Sequence, residues 1–188
     1  KKPQANYVKL LPLLEDMLNY GAAAQVYFDE AADGLVNKDI TDVFSSFDIS
    51  EAKGVIATPL SGTVNDSYKF KSAALGLFDQ VSVRFKFAAS DLSNLTVEIG
   101  DKVYTAEDFT SAGTGLYCVE YADVLACEYA KPISAVIKLN GVQIGQMATY
   151  SVNTYLKNKS ESASVGEIVQ AVYDYGYAAA AYVSAQAE

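Results

Sequence analysis

Apolar residues recur at helical spacing at both ends of the chain and at strand spacing between them. From Tyr7 onward, Leu10, Leu14, Met17, Gly21, Ala24 and Phe28 form a stripe, widened by Leu11, Leu13 and Leu18. That spacing predicts a helix with one buried face. Pro12 sets the regular start of the helix at a position where a missing N–H costs nothing, and Asp29, Glu30, Asp33 and Gly34 break the stripe. Near the other end, Val165, Val169, Val172, Gly176, Ala179 and Val183 repeat the stripe at a constant offset. Asn19-Tyr-Gly-Ala-Ala-Ala-Gln-Val-Tyr27 lies over Asp174-Tyr-Gly-Tyr-Ala-Ala-Ala-Ala-Tyr182. A helix-interior Gly costs about 1 kcal/mol relative to Ala. Its appearance in both copies predicts another backbone passing close over Gly21 and Gly176, with helix C-caps as the alternative.

Between the helices the period becomes two. Val81, Val83, Phe85 and Phe87 alternate with Ser82, Arg84 and Lys86, and Leu95, Val97 and Ile99 with Thr96 and Glu98. Both read as half-buried strands. Gly100-Asp101 offers a Gly-first turn into 102–105, and Asn140-Gly141 a type I′ turn between 135–139 and 142–146. The second turn would pair Leu139 with Val142, Lys138 with Gln143 and Ile137 with Ile144, apolar against apolar and polar against polar. Further strands are expected at 68–77, 115–121, 124–129 and 148–155, with mixed loop over 37–64 and a polar linker over 157–164. The fold class that follows is α+β. One domain over 1–188 would hold an immunoglobulin-like antiparallel β-sandwich over 60–156, flanked by matching helices at 1–30 and 164–186. Each stripe needs a partner, so the two helices should pack on each other or on one sheet face.

Composition narrows the function. The 188 residues carry 14 Lys+Arg against 23 Asp+Glu, a net charge of −9, with a pI near 4.5. That balance argues against a nucleic-acid partner and an anionic membrane surface. No run of about 18 apolar residues is present, so membrane insertion is not expected; nor is a signal peptide, since Lys1, Lys2 and Pro3 lead into an amphipathic helix. The chain has no His, which removes Ser-His and Cys-His pairs and His-ligated metals.

The remaining candidate chemistry is thin. Asp29, Asp33, Gly34, Val36 and Asn37 stand where an EF-hand would have its first, fifth, sixth, eighth and ninth loop positions. Ala31 and Ile40 hold ligand positions, and Asp39 is one residue early, so the reading is an acidic turn rather than a calcium site. Cys118 and Cys127 are expected on neighbouring strands around Ala122-Asp123, as buried thiols or, in an oxidising compartment, as a bridge. Glu98, Glu120 and Glu128 could supply a glycosidase carboxylate pair, against the simpler reading of a solvated strand face. Tyr20, Tyr27, Tyr175 and Tyr182 border the repeated stripe and are expected to pack, with their hydroxyls reaching partners. Sequons stand at Asn65, Asn94 and Asn158. No catalytic, cofactor-binding or metal-ligating residue is assigned.

Leu14–Phe28, Asn37, Val81–Phe87, Ala148–Tyr155 and the closing Tyr-Gly-Ala helix together resemble a poorly characterised module. It belongs to secreted cell-surface proteins of Gram-positive gut bacteria of the clostridial and ruminococcal kind. In such proteins strands usually come first, then Tyr-Ser-Val, then the Asn-Tyr-Gly-Ala helix. The resemblance implies an extracellular or cell-wall-associated location and, for the first helix, an origin as the tail of a preceding unit or as a second recruited helix. It carries no catalytic residues. The expected function is a non-enzymatic spacer, adhesion or binding module whose partner is a glycan or a surface protein. A carbohydrate-binding module or glycan-processing enzyme is the alternative.

Overall fold

The computed structural model describes residues 5–29, 47–77 and 80–186, with side chains from residue 10 onward. Among the described residues the chain is α+β, with three helices and two antiparallel sheets. It divides into two compact units. One comprises Lys1–Lys53, Leu125–Ala130 and Leu156–Glu188; the other comprises Gly54–Val124 and Lys131–Tyr155.

The helical unit is built on α1 (Ala5–Phe28) and α3 (Gly166–Gln186), which pack against each other as their stripes require. α1 begins well before Pro12, which lies inside it. The proline is the eighth residue of the helix, past the four N–H groups that have no partner, so it forfeits one backbone bond instead of sitting where a missing N–H costs nothing. The stripe of α3 is buried at Val169, Val172, Gly176 and Ala179, half-buried at Val165 and exposed at Val183. That of α1 is less covered. Met17 and Phe28 are each 44% exposed, while Asp16 and Ala22 are buried. The difference has a packing cause: α3 is contacted both by α1 and by the short 3-10 turn Ala126–Glu128.

The sheet unit contains β1 (Leu60–Ser61), β2 (Tyr68–Leu77), β3 (Val81–Ala89), β4 (Leu95–Ile99), β5 (Lys102–Tyr104), β6 (Thr110–Gly113), β7 (Leu116–Tyr121), β8 (Ile133–Leu139), β9 (Val142–Gln143) and β10 (Met147–Tyr150). One sheet runs β1-β10-β8-β4-β5, with β9 also on β8; the other runs β2-β3-β7-β6. The expected alternation holds at Leu95, Val97 and Ile99 on β4 and at Val83, Phe85 and Phe87 on β3, all buried, but Ser82, expected on the solvated face of β3, is fully buried too. The Asn-Gly hairpin has the predicted register, Leu139 with Val142 and Lys138 with Gln143, and Ile144 N–H donates to Ile137 O. Asn140 and Gly141 take φ of 51° and 78°, as a type I′ turn demands. At the other turn Ile99 faces Lys102, and Gly100 adopts φ 63°.

Edge strands are short or bent. β1 and β5 have two and three residues. β2 is bulged between Phe70 and Ser72, and β6 between Ser111 and Gly113.

Two expected strands are helical instead. The 124–129 stretch contains the 3-10 turn Ala126–Glu128 and joins the helical unit. The 148–155 stretch stops at Tyr150, and α2 spans Val152–Lys159, taking in part of the expected linker. Ser151 explains the switch. Its buried Oγ accepts from Thr154 N–H at 3.1 Å, capping the helix, and donates to Gly54 O at 2.6 Å. Val152 and Leu156, one turn apart, are then both fully buried.

Candidate functional site

The repeated helical motif is where sequence repetition and structure meet. Tyr20 and Tyr175, which occupy equivalent positions in the two copies, stack with ring centroids 5.9 Å apart and planes 8° from parallel. Offset-stacked rings of this kind contribute about 0.5–1.5 kcal/mol beyond area burial. Burial and the neighbouring Tyr175 raise the Tyr20 hydroxyl above the usual phenol range. Gly176 is a close-approach position, but the group above it is a side chain: a Cβ there would collide with the ring of Tyr129, itself 4% exposed. Gly21 has nothing within 4 Å of a Cβ position. The expected backbone crossing over both glycines is therefore replaced by one ring over one glycine. Tyr27 lies edge-on to Phe28 and is exposed, and Tyr182 is half-buried.

Two buried carboxylates sit within the same unit. Asp174 Oδ1 accepts from Phe47 N–H and from Gln170 Nε2, each at 2.9 Å; the Gln170 amide also donates to Phe47 O. Asp16 is 5% exposed. Desolvation, then the charge of Asp174, push its carboxyl up to about 6, against a hydrogen bond from Asn19. Neither aspartate stood out in the sequence. A buried acid amid helical residues leaves no periodic mark, and Asp16 lies off the expected stripe.

The strand carboxylates are not gathered into a site. Glu98 pairs with Lys138 at 2.6 Å. Glu120 accepts from Ser82 Oγ at 2.5 Å and from Arg84 Nε at 2.8 Å, with the Arg84 guanidinium completing the pair at 2.7 Å. Against the desolvation of its half-buried position, these bonds hold the Glu120 carboxyl below the usual range. Glu128 belongs to the helical unit.

Cys118 lies on β7 and Cys127 on a 3-10 turn, so the expected neighbouring strands do not form; both thiols are unbridged and half-buried. Asp29 ends α1 with φ 54°, and the rest of the acidic 29–40 loop lies outside the described residues. Among the sequons, Asn65 uses its Oδ1 to accept from the Ser67 and Tyr68 N–H groups, and Asn94 and Asn158 are exposed. Among the described residues no group of three His, Cys, Asp or Glu is placed to hold a metal ion, and no helix is long and apolar enough to cross a membrane. Compared with known proteins, the chain matches no family model, no curated protein and no solved structure.

Proposed function

We propose that the sheet unit is an immunoglobulin-like sandwich and that the chain serves as a non-enzymatic module of an exported surface protein. Strand order supports the first part. The order β2-β3-β7-β6 is that of strands A, B, E and D, and β10-β8-β4-β5 is that of G, F, C and C′. Successive hairpins alternate between the sheets in the same way, β2-β3, β4-β5 and β6-β7 in turn. The core that would fill the sandwich is aliphatic and Phe-based, led by Phe85, Phe87, Ile99 and Ile137. The chain has no Trp, and β3 and β8 contain no Cys, so the Trp and inter-sheet disulfide of antibody domains have no counterpart.

One observation carries the functional part: Tyr20, Tyr175 and Gly176 of the repeated motif are used for packing. Tyr20 stacks on Tyr175 and Gly176 lies under Tyr129, while Glu98 and Glu120 are each bound to their own cation. A glycosidase needs one ionised and one protonated carboxyl set across a cleft, and the bonds from Ser82 and Arg84 hold Glu120 in the ionised form. The resemblance to secreted modules of Gram-positive gut bacteria agrees with this reading and supplies the extracellular location and the surface partner. Hydrolysis assays on plant and mucin glycans test it: no turnover is expected. Activity lost in Glu98→Gln or Glu120→Gln would overturn it.

A second reading, glycan binding, has one specific observation in its favour. Tyr177 is 49% exposed, and its ring stacks on Phe47 with centroids 4.1 Å apart. A glycan-array signal lost in Tyr177→Ala would establish this reading.

A further inference from the structure

Asp16 and Asp174 are 5% and 9% exposed, one on each of the two helices that build the helical unit. Two carboxylates withdrawn from water in one interface resist carrying charge together. Their partners differ. Asp174 Oδ1 already accepts from two N–H donors, Phe47 N and Gln170 Nε2, so a proton is better placed on Asp16. Asn19 lies one turn further along α1, where its side-chain amide acts on the Asp16 carboxyl, and the Oδ1 of that amide is buried without a donor.

A carboxylic acid and a primary amide are complementary. Protonated Asp16 can donate its O–H to Asn19 Oδ1 while accepting from Asn19 Nδ2, which satisfies both groups. Ionised Asp16 is acceptor-only and leaves the buried Oδ1 unpaired, a costly state in a dry interface. The charged groups acting on Asp16 among the described residues are Asp174 from α3 and Glu15 on α1. Both are acidic. The phenols of Tyr20 and Tyr129 are raised by burial and stay neutral across the physiological range.

We propose that Asp16 and Asn19 form a proton-dependent clasp, an acid–amide pair that tightens the packing of α1 on α3 when Asp16 is protonated and loosens it on ionisation. The environment agrees, since burial and Asp174 lift the Asp16 carboxyl from 3.8 to about 6. The folded value lies above the unfolded one, so the folded chain binds this proton more tightly. The clasp's contribution is full below about pH 4 and is lost as pH rises through about 6. A shift of about two pKa units corresponds to roughly 100-fold in the folding equilibrium.

The test is urea unfolding of the full chain between pH 4.5 and 8, read by far-UV circular dichroism and by amide exchange in α1 and α3. Wild type is compared with the isosteric, uncharged Asp16→Asn. Across that range the wild-type folding equilibrium should weaken by tens of fold relative to the variant. Parallel pH profiles would overturn the proposal, because the remaining acidic groups are common to both chains. If the variant does not fold, carbon-13 titration of the Asp16 carboxyl in the wild type decides: a midpoint above 5 supports the clasp, and one near 4 overturns it.

Discussion

Gly21 and Gly176 occupy the same place in the repeated helix, yet alanine at each should move stability in opposite directions. Replacing a helix-interior Gly by Ala gains about 1 kcal/mol from backbone propensity alone, and that gain is common to both sites. At Gly21 nothing lies within 4 Å of the new methyl, so Gly21→Ala should stabilise the helical unit by up to about 1 kcal/mol. At Gly176 the methyl would sit 3.0 Å from Tyr129 Cε2 and 3.1 Å from Cγ, with Cδ2 closer still. The crowded atoms lie at the root of the ring, and the side chain is 4% exposed, so it cannot swing aside without exposing aromatic surface. Overpacking of this kind costs about 1–3 kcal/mol. After the propensity gain, Gly176→Ala should lose about 0–2 kcal/mol. The gap between the two variants is then about 1–3 kcal/mol, several degrees in melting temperature for a chain of this size. Urea unfolding followed at 222 nm measures it, and Tyr129→Leu in the Gly176→Ala background should narrow it. Equal shifts for the two alanines, or a stabilised Gly176→Ala, would refute the reasoning.

Other substitutions probe the sheet unit and the helix pair. Glu120→Gln should cost less than about 1 kcal/mol at pH 7, since the pair with Arg84 is more than a third exposed. The folded value of Glu120 is depressed, so its contribution exists above the unfolded value and disappears as pH falls through the folded one; wild-type and variant urea midpoints should converge in acid. Ser151→Ala removes a buried cap and leaves Gly54 O short of a partner, while Thr154 N–H keeps its 3.2 Å bond to Ser151 O; it should cost about 1–2 kcal/mol in chemical unfolding. Deleting residues 1–28 strips α3 of its partner helix; loss of the cooperative thermal transition is expected, and a sharp melt that survives would contradict the packing of α1 on α3.

Most strands were legible because one face of each is buried, which stamps period two on the sequence. β2 and β4 have the expected limits, and the Asn-Gly turn by itself specifies the hairpin register. What failed was local. The run Ser151-Val-Asn-Thr-Tyr155 is β-branched and aromatic by composition, and only the tertiary bond from Ser151 to Gly54 reveals it as a capped helix start. β6, over Thr110–Gly113, has one half-buried residue among exposed ones and so carries no alternation to read. For the helices the repeat identified the partners correctly but not the faces. Which side of α1 is covered depends on α3, and the burial of Asp16 follows from that pairing rather than from any pattern within α1.

The short and bulged edge strands bear on behaviour in a crowd. A row of unpaired N–H and C=O groups is a template for a strand from a neighbouring molecule, and the danger grows with the length and flatness of the row. Here β1 and β5 offer only two and three residues, and the bulge in β2 falls between Phe70 and Ser72, where Lys71 adds positive charge to the rim. On β1 and β5 a second chain could therefore match only two or three rungs, and on β2 a full-length match would be interrupted at the bulge beside Lys71. Packed at high density, such sheets can jostle without zipping into fibres.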